Sequence, residues 1–309
     1  MADGALERIQ RDAGGIDLVD ILADLAPTDL QSVMLEVYRR QAARLSPAQL
    51  LARFEDSRFS RPAVVDPGAR AAFEGLAWSS LPDGYQALEL SPLCPLGTSS
   101  TVATVDQNKV VSTVRNAEVV ADTTNVLALE CARRRRALLA DRSTRFQPVG
   151  LASYQRQVRA QTFGDPLAWA HFGLLGMVAA GRDQGSLSFE AQAFTQQIGY
   201  FASLLQQFRP EWGIDVAVTC LHDGAERLSA VVRGQLSERF PDVVFRDDPT
   251  RLSGRGYYLD LCYKLFVGDR SGTMLEVGDG GCTDWTRLLL SDRKERLVIG
   301  AIGVDRILV

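Results

Sequence analysis

The strand-like segments of this chain come in adjacent runs, with the helical segments bunched between them. "RFQPVGLASYQRQVRAQTF" and "WAHFGLLGMVAAG" stand side by side around a loop containing Gly164, Asp165 and Pro166. Further on, "DVVFRDD", "GYYLDLCYKLFV" and "TMLEVG" follow one another ahead of a last strand, "RLVIGAI". Strands joined by short connections pair antiparallel, whereas a parallel sheet needs a crossover helix between strands. The order predicts an α+β fold: an antiparallel β-sheet flanked by helices.

The helical segments carry their own marks. "PTDLQSVMLEVYRRQAARL" places Leu30, Val33, Met34, Val37 and Tyr38 at i, i+3, i+4 spacing, with Thr28 or Asp29 as its cap. "SPAQLLARF" follows with Ser46 as cap and Pro47 at the first helical position. Residues 1–62 read as a helical N-terminal segment and 63–309 as the core. The core opens with "DPGARAAFEGLAWSSLPDGYQALELSPL", a helix, a turn at Pro82-Asp83-Gly84, and a strand ending at Pro92. "NKVVSTVRNAEVVAD" alternates like a strand, and "TTNVLALECARRRRALLAD" reads as a helix opening at Thr123 or Thr124. A long helix, "SFEAQAFTQQIGYFASLLQQF", precedes strand "IDVAVTCL" and helix "GAERLSAVVRGQLSERF"; the helix "GVDRILV" is the last element.

Composition narrows the function classes. The net charge of −4 argues against a general nucleic-acid coat. No apolar run reaches about 18 residues, the length of a membrane span, and the first twenty residues are too charged for a signal peptide. A cytosolic (cytoplasmic) protein is expected, with no membrane partner. The five cysteines form no CxxC pair and read as reduced core thiols. His171 and His222 are the only histidines, which speaks against a zinc site and against His-based nucleophilic catalysis.

Four places set charged residues inside apolar strands, where a charge needs a partner or a ligand. "VRNAEVVADTT" holds Arg115, Glu118, Asp122 and Thr124. Asp122 is either an N-cap or, with Thr124, a grip for a substrate ammonium. "QRQVRAQ" holds Arg156, Arg159 and Gln161; on a strand, Arg159 and Gln161 face one side. This is either an exposed edge or a cation and an amide placed for a phosphate beside a base. In "SGRGYY", Arg255 stands between two glycines, either in a hairpin turn or where a backbone approaches a phosphate or carboxylate. "VGDGGCTDW" supplies a turn at Gly278, Gly280 and Gly281 with Asp284 beyond it, and "GAIGVDR" sets Arg306 in the first turn of a helix. The helix dipole does not favour a cation there, so a partner is expected. The run Arg133–Arg136 reads as a solvated helix face.

In this order the clusters resemble the catalytic core of class II aminoacyl-tRNA synthetases, in particular the histidyl-tRNA synthetase branch, over roughly residues 65–309. "GYQALELSPLCPLG" resembles motif 1, which builds the dimer interface. "VADTTNVLALE" resembles the segment reading "LRPEGT", with Asp122 in place of its Glu and Thr124 near its Thr. "VRAQ" is similar to the "FRxE" of motif 2, and the segment after it puts Phe172 near the adenine. "GRGYY" resembles "RGLDYY", "GDGGCTDW" resembles "GGGRYDG", and "IGAIGVDRILV" resembles motif 3, "GxxxGxER". The departures are Gln161 and Asp305 where Glu is usual, a shorter "RGLDYY" spacing, and "CTDW" for "RYDG". The segments that read a histidine side chain are altered, so histidine is not carried over as substrate.

The resemblance implies ATP bound in a bent form with Mg2+, and a homodimer. It implies that Arg159 and Arg255 are catalytic. Arg159, Gln161, Phe172 and Arg306 would bind ATP. Glu118, Asp122, Thr124, Tyr257 and Asp284 would bind an amino-acid-like substrate. With no anticodon-binding domain after motif 3, no anticodon recognition is expected. Two functions fit. One is a stand-alone enzyme that activates an amino acid or related acid, passing it to a carrier protein, a small amine or a tRNA acceptor. The other is a non-catalytic paralogue resembling the regulatory subunit of ATP phosphoribosyltransferase, binding a small effector and a partner enzyme.

Overall fold

The computed structural model describes residues 2–161, 169–268 and 273–309; the loop with Gly164, Asp165 and Pro166 lies outside them. Four helices make the N-terminal segment: α1 (Ala2–Asp12), α2 (Leu18–Ala23), α3 (Pro27–Ala42) and α4 (Pro47–Asp56). Ser46 closes a full capping box with Gln49 ahead of α4. α3 starts two residues earlier than a Thr28 cap would set it, and three earlier than an Asp29 cap. Pro27 takes the first helical position and Ala26 precedes it without a side-chain cap, so Thr28 and Asp29 lie inside the first turn.

The core runs α5 (Pro67–Ser79), β1 (Tyr85–Ala87), β2 (Leu93–Pro95), α6 (Thr98–Val102), β3 (Ala117–Val119), α7 (Thr123–Leu139), β4 (Val149–Val158) and β5 (His171–Arg182). It continues through α8 (Ser188–Phe208), β6 (Gly213–Cys220), α9 (Glu226–Arg239), β7 (Val243–Asp247), β8 (Leu259–Gly268) and β9 (Met274–Thr283). α10 (Trp285–Leu290), β10 (Glu295–Gly303) and α11 (Val304–Leu308) complete it.

Eight strands form one sheet in the order β1-β4-β5-β10-β9-β8-β6-β7. The six central strands pair antiparallel, as expected. Both edges depart from that pattern, with β1 parallel to β4 and β7 parallel to β6. The β7 edge follows from α9, which carries the chain back across the sheet as a crossover helix. The strand expected to end at Pro92 stops at Ala87, and "NKVVSTVRNAEVVAD" contributes only β3. A 3-10 turn at Gln107–Lys109 and a left-handed Asn116 (φ 51) interrupt the alternation. β2 and β3 instead form a separate two-stranded sheet.

Side chains alternate across the sheet into two cores. Ala152, Met177 and Val298 face α5, α8 and α9, meeting Phe73, Phe194, Phe201 and Leu236. Leu151, Val178 and Ile299 face the opposite way, towards Leu127 and Cys131 of α7 and Trp285 of α10. Helices therefore cover both faces of the sheet.

Two sequence expectations change. Gly278, Gly280 and Gly281 do not turn; they lie inside β9. A Cβ at Gly280 would stand 2.5 Å from the Ile299 carbonyl oxygen and 2.6 Å from the Tyr263 ring, so packing of neighbours requires the glycine. The arginine run is not wholly solvated either. Arg133 and Arg134 pair with Glu130 on the surface side, but Arg135 turns inward one helical turn after Cys131 and is fully buried. It makes two 2.8 Å bonds to Glu295 and donates to the carbonyls of Arg145 and Gln147.

Candidate functional site

Two cavities open at the end of the sheet where β4 runs out, α7 begins and α11 follows β10. The first, about 300 Å³, is lined by Trp169, Phe172, Glu276, Asp305 and Arg306 among others. The second, about 700 Å³, is lined by Lys109, Asn125, Gln161, Arg251, Arg255 and Tyr257 among others. Asp122, Arg159 and Asp279 line both, so they form the wall where the two meet.

Arg159 lies one residue past β4, held in line by its N–H bond to the Ala170 carbonyl at 2.8 Å. Its Nε donates to the Ala121 carbonyl (2.9 Å), its Nη2 to Asp122 Oδ2 (3.1 Å), and its guanidinium lies 5.1 Å from the Phe172 ring centroid. Asp122 serves both ways. Its Oδ1 accepts from the Thr124 N–H (2.9 Å) and hydroxyl (2.7 Å), capping α7, while Oδ2 takes Arg159. The cap and the grip are thus two oxygens of one carboxylate.

On the first cavity's other side, Arg306 donates to the Glu276 carbonyl at 2.8 Å. Its neighbour Asp305 is buried and accepts from Arg156 (3.0 Å) and from the Gly173 N–H (2.9 Å). Arg156 also donates through Nε to His171 Nδ1 at 2.9 Å. That fixes the imidazole proton on Nε2, which donates to the Arg61 carbonyl at 2.6 Å.

In the second cavity, Arg255 stands between Gly254 (φ +80) and Gly256 (φ +89), a left-handed pair that glycine adopts without strain. Among the described residues its guanidinium bonds only main-chain carbonyls, those of Arg251 (2.7 Å) and Pro249 (3.3 Å). Tyr257 packs edge-on against Tyr258 and Trp285, and burial raises its phenol well above the ordinary value. Gln161 lines this cavity rather than the one with Phe172 and Arg306, and its carbonyl accepts from Arg58 (3.2 Å).

Sequence reasoning passed over two residues. Arg251 is buried, bonds the Tyr263 carbonyl (2.8 Å) and Asp279 Oδ2 (3.2 Å), and lies over the Tyr258 ring. Asp279 was hidden among the glycines of β9; its place two residues before Gly281 on an apolar strand was the available signal. Although 44% of its side chain faces the open cavities, its place deep in the protein raises its carboxyl pKa; Arg251 opposes that, and nearby Asp122 adds to it.

Three of the sequence-derived positions lie outside both cavities: Thr124, buried behind the Asp122 carboxylate that its hydroxyl bonds, Asp284 and Glu118. Asp284 precedes α10 and pairs with Arg287 at 2.5 Å. Glu118 is fully buried, accepting from the N–H groups of Gly97 (2.9 Å) and Ser99 (2.8 Å) and from Gln107 Nε2 (2.9 Å). Burial alone would raise its pKa, but these bonds outweigh it and the net shift is downward. A lowered folded-state pKa makes its stabilisation fully present above the unfolded value of about 4.3 and lost as pH falls through the folded value. Glu118→Gln is therefore expected to lower the urea midpoint at pH 7, with the gap from wild type narrowing as pH falls below the unfolded value and through the folded one. A gap that stays constant with pH throughout the acid range would contradict this.

Among the described residues, no group of three or more His, Cys, Asp or Glu is placed to hold a metal ion. An Mg2+ ion carried on nucleotide phosphates needs only one or two protein carboxylates. Glu276 and Asp279 face the first cavity with 39% and 44% of their side-chain surface open and fit that requirement.

No family profile matches the chain, and no curated protein sequence does. Solved structures do. The chain is similar to apo S. aureus histidyl-tRNA synthetase (TM-score 0.61, 10% identity, 82% of this chain and 72% of that one). It is similar to an ATP phosphoribosyltransferase regulatory subunit/histidyl-tRNA synthetase from Bacillus halodurans C (TM-score 0.57, 14% identity, 81% and 82%). It also matches the RNA binding domain of threonyl-tRNA synthetase from Cryptosporidium parvum Iowa II (TM-score 0.55, 10% identity, 78% and 62%). At these identities the matches show the fold, which is a class II synthetase-like core. No helix among the described residues is long and apolar enough to cross a membrane.

Proposed function

We propose that this chain activates an amino acid, or a related carboxylic acid, by ATP-dependent formation of an acyl-adenylate. The observation that carries the reading is the junction of the two cavities at Arg159. Adenylate formation joins a carboxylate to the α-phosphorus of ATP, so that phosphorus must lie between a nucleotide pocket and an acid pocket. A carboxylate oxygen attacks it, the bond to the pyrophosphate oxygen breaks, and acyl-adenylate and pyrophosphate result.

Arg159 is placed to meet the charge that builds on the α-phosphate in this in-line step. Phe172 and Arg306 would sandwich the adenine in the first cavity. Arg255, whose partners are neutral carbonyls, would draw the substrate carboxylate towards the phosphate. Asp122, on the wall the two cavities share, would take the substrate ammonium, with Thr124 fixing its rotamer. Glu276 and Asp279 would hold Mg2+, which when bound supplies neutralisation of phosphate charge. The resemblance further assigns a homodimer and a carrier protein, small amine or tRNA as acceptor.

A second reading has its own observation. Asp305 is held by Arg156 and Gly173, and Gln161 is neutral, so the two motif positions where Glu is usual offer no free acid. On that reading the cavities bind a small effector, and a partner enzyme does the chemistry. The test is pyrophosphate release from ATP across an amino-acid panel. Release with one substrate supports activation. Amino-acid binding without release supports the regulatory reading.

A further inference from the structure

We propose that the second cavity takes an α-amino acid whose side chain carries a second carboxylate, and that the Lys109 ammonium binds that group. The proposal rests on the reading of this cavity as the acid pocket of the activating site, and deepens it. A surplus of positive charge carries it. Four cations line the cavity, Lys109, Arg159, Arg251 and Arg255, against three acids, Asp106, Asp122 and Asp279. Two of the cations are already matched, Arg159 by Asp122 at 3.1 Å and Arg251 by Asp279 at 3.2 Å. The other two are not. Among the described residues Arg255 bonds only neutral carbonyls, and the Lys109 side chain makes no hydrogen bond or ion pair. Asp106 lies three residues before Lys109, but its Oδ1 is turned to the Asn108 N–H at 3.0 Å.

The backbone that carries Lys109 is fixed at both ends. Lys109 ends the 3-10 turn Gln107–Lys109, and its carbonyl accepts from the Ala160 N–H at 3.0 Å, which ties the turn to the residue after Arg159. Gln107 at the other end accepts from the Ser100 hydroxyl (2.8 Å) and donates to the buried Glu118 carboxylate (2.9 Å). Glu118, expected from the sequence to touch substrate, thus anchors the turn that brings Lys109 to the cavity.

The amino-acid head group uses the other polar groups. Asp122 would take the ammonium, and Asn125 follows in the first turn of α7. Asn125 is 2% exposed, lines the cavity, and its Oδ1 has no donor among the described residues. A buried acceptor without a donor is rare, and an ammonium brings three. Arg255 would take the α-carboxylate. A zwitterionic head adds no net charge, so Lys109 is the cation left over. A second carboxylate cancels it, a neutral side chain leaves it, and a cationic side chain is repelled. The cavity, about 700 Å³, has room for such a side chain beyond the head group.

Isothermal titration calorimetry on the full chain, with ATP–pyrophosphate exchange measured alongside, separates this proposal from the activation reading. The probes are L-aspartate with L-asparagine and L-glutamate with L-glutamine. One acid is expected to bind about 10-fold tighter than its amide, the lower end for a charge-assisted bond because the Lys109 rim is open to solvent. Lys109→Met should bring the two affinities together, and Lys109→Arg should keep them apart. Thermal midpoints of both variants should match wild type, since the side chain is exposed. An acid that binds without exchange would uphold this site and overturn activation. Exchange with neutral or basic amino acids alone would overturn the proposal and leave activation standing. An acid preference that survives Lys109→Met would overturn it too, as would binding of neither acid.

Discussion

Arg159→Ala is expected to lower acyl-adenylate formation by roughly 100- to 1,000-fold, the effect of removing one preorganised donor from a developing anion. The argument rests on position. Arg159 is the only cation on the wall shared by the two cavities, among the described residues, and its partners leave one face of the guanidinium against Phe172. The stability cost is small by comparison. Asp122 keeps about a quarter of its side chain open to solvent and retains its bonds to Thr124, so loss of the ion pair is worth no more than about 1 kcal/mol. Arg159→Lys keeps the charge but loses the fork that reaches both the Ala121 carbonyl and Asp122, and falls between the two. Turnover measured beside the thermal midpoint separates the cases. A large fall in midpoint for Arg159→Ala would mean a structural role, and unchanged turnover would remove the residue from the chemistry.

Arg135→Ala should destabilise the fold by about 3–5 kcal/mol, because it leaves the Glu295 carboxylate buried without its main partner. The pair has no exposed side-chain surface on either side. Arg182 approaches Glu295 at 3.5 Å but is already committed to Asp292 at 2.8 Å, so it compensates in part. Replacing both residues, Arg135→Met with Glu295→Leu, should recover much of the loss, since desolvation of the two charges offsets most of their attraction. Recovery will be incomplete, because the Arg145 and Gln147 carbonyls lose their donor. Urea midpoints of wild type and the two variants read this directly; equal loss in Arg135→Ala and the double variant would contradict it.

The contrast between those two arginines shows what a sequence reveals. Helices were legible because their signals are local: the capping box at Ser46, the cap at Asp122 before Thr123, the long apolar stripe of α8. The short strands were legible only in part: β1 and β3 fall inside longer stretches read as strands and β2 was not read, since three residues carry no periodicity and exist only through their partners. Glycines 278, 280 and 281 signal a turn to a local reading, whereas the crowding by Tyr258, Tyr263 and neighbouring carbonyls is tertiary. In the site, the order of the motifs brought Arg159, Phe172 and Arg306 to one cavity. The Arg251–Asp279 pair joins a loop to a strand 28 residues away, which no local pattern encodes. Glu118 stood out as a charge in an apolar stretch, but its partners are main-chain N–H groups, which the sequence does not display.

The most direct measurement is ATP–pyrophosphate exchange with pooled amino acids and Mg2+. The account predicts exchange with one pool, lost in Arg159→Ala. No exchange with any pool, alongside measurable amino-acid binding, would contradict activation and identify the cavities as an effector site.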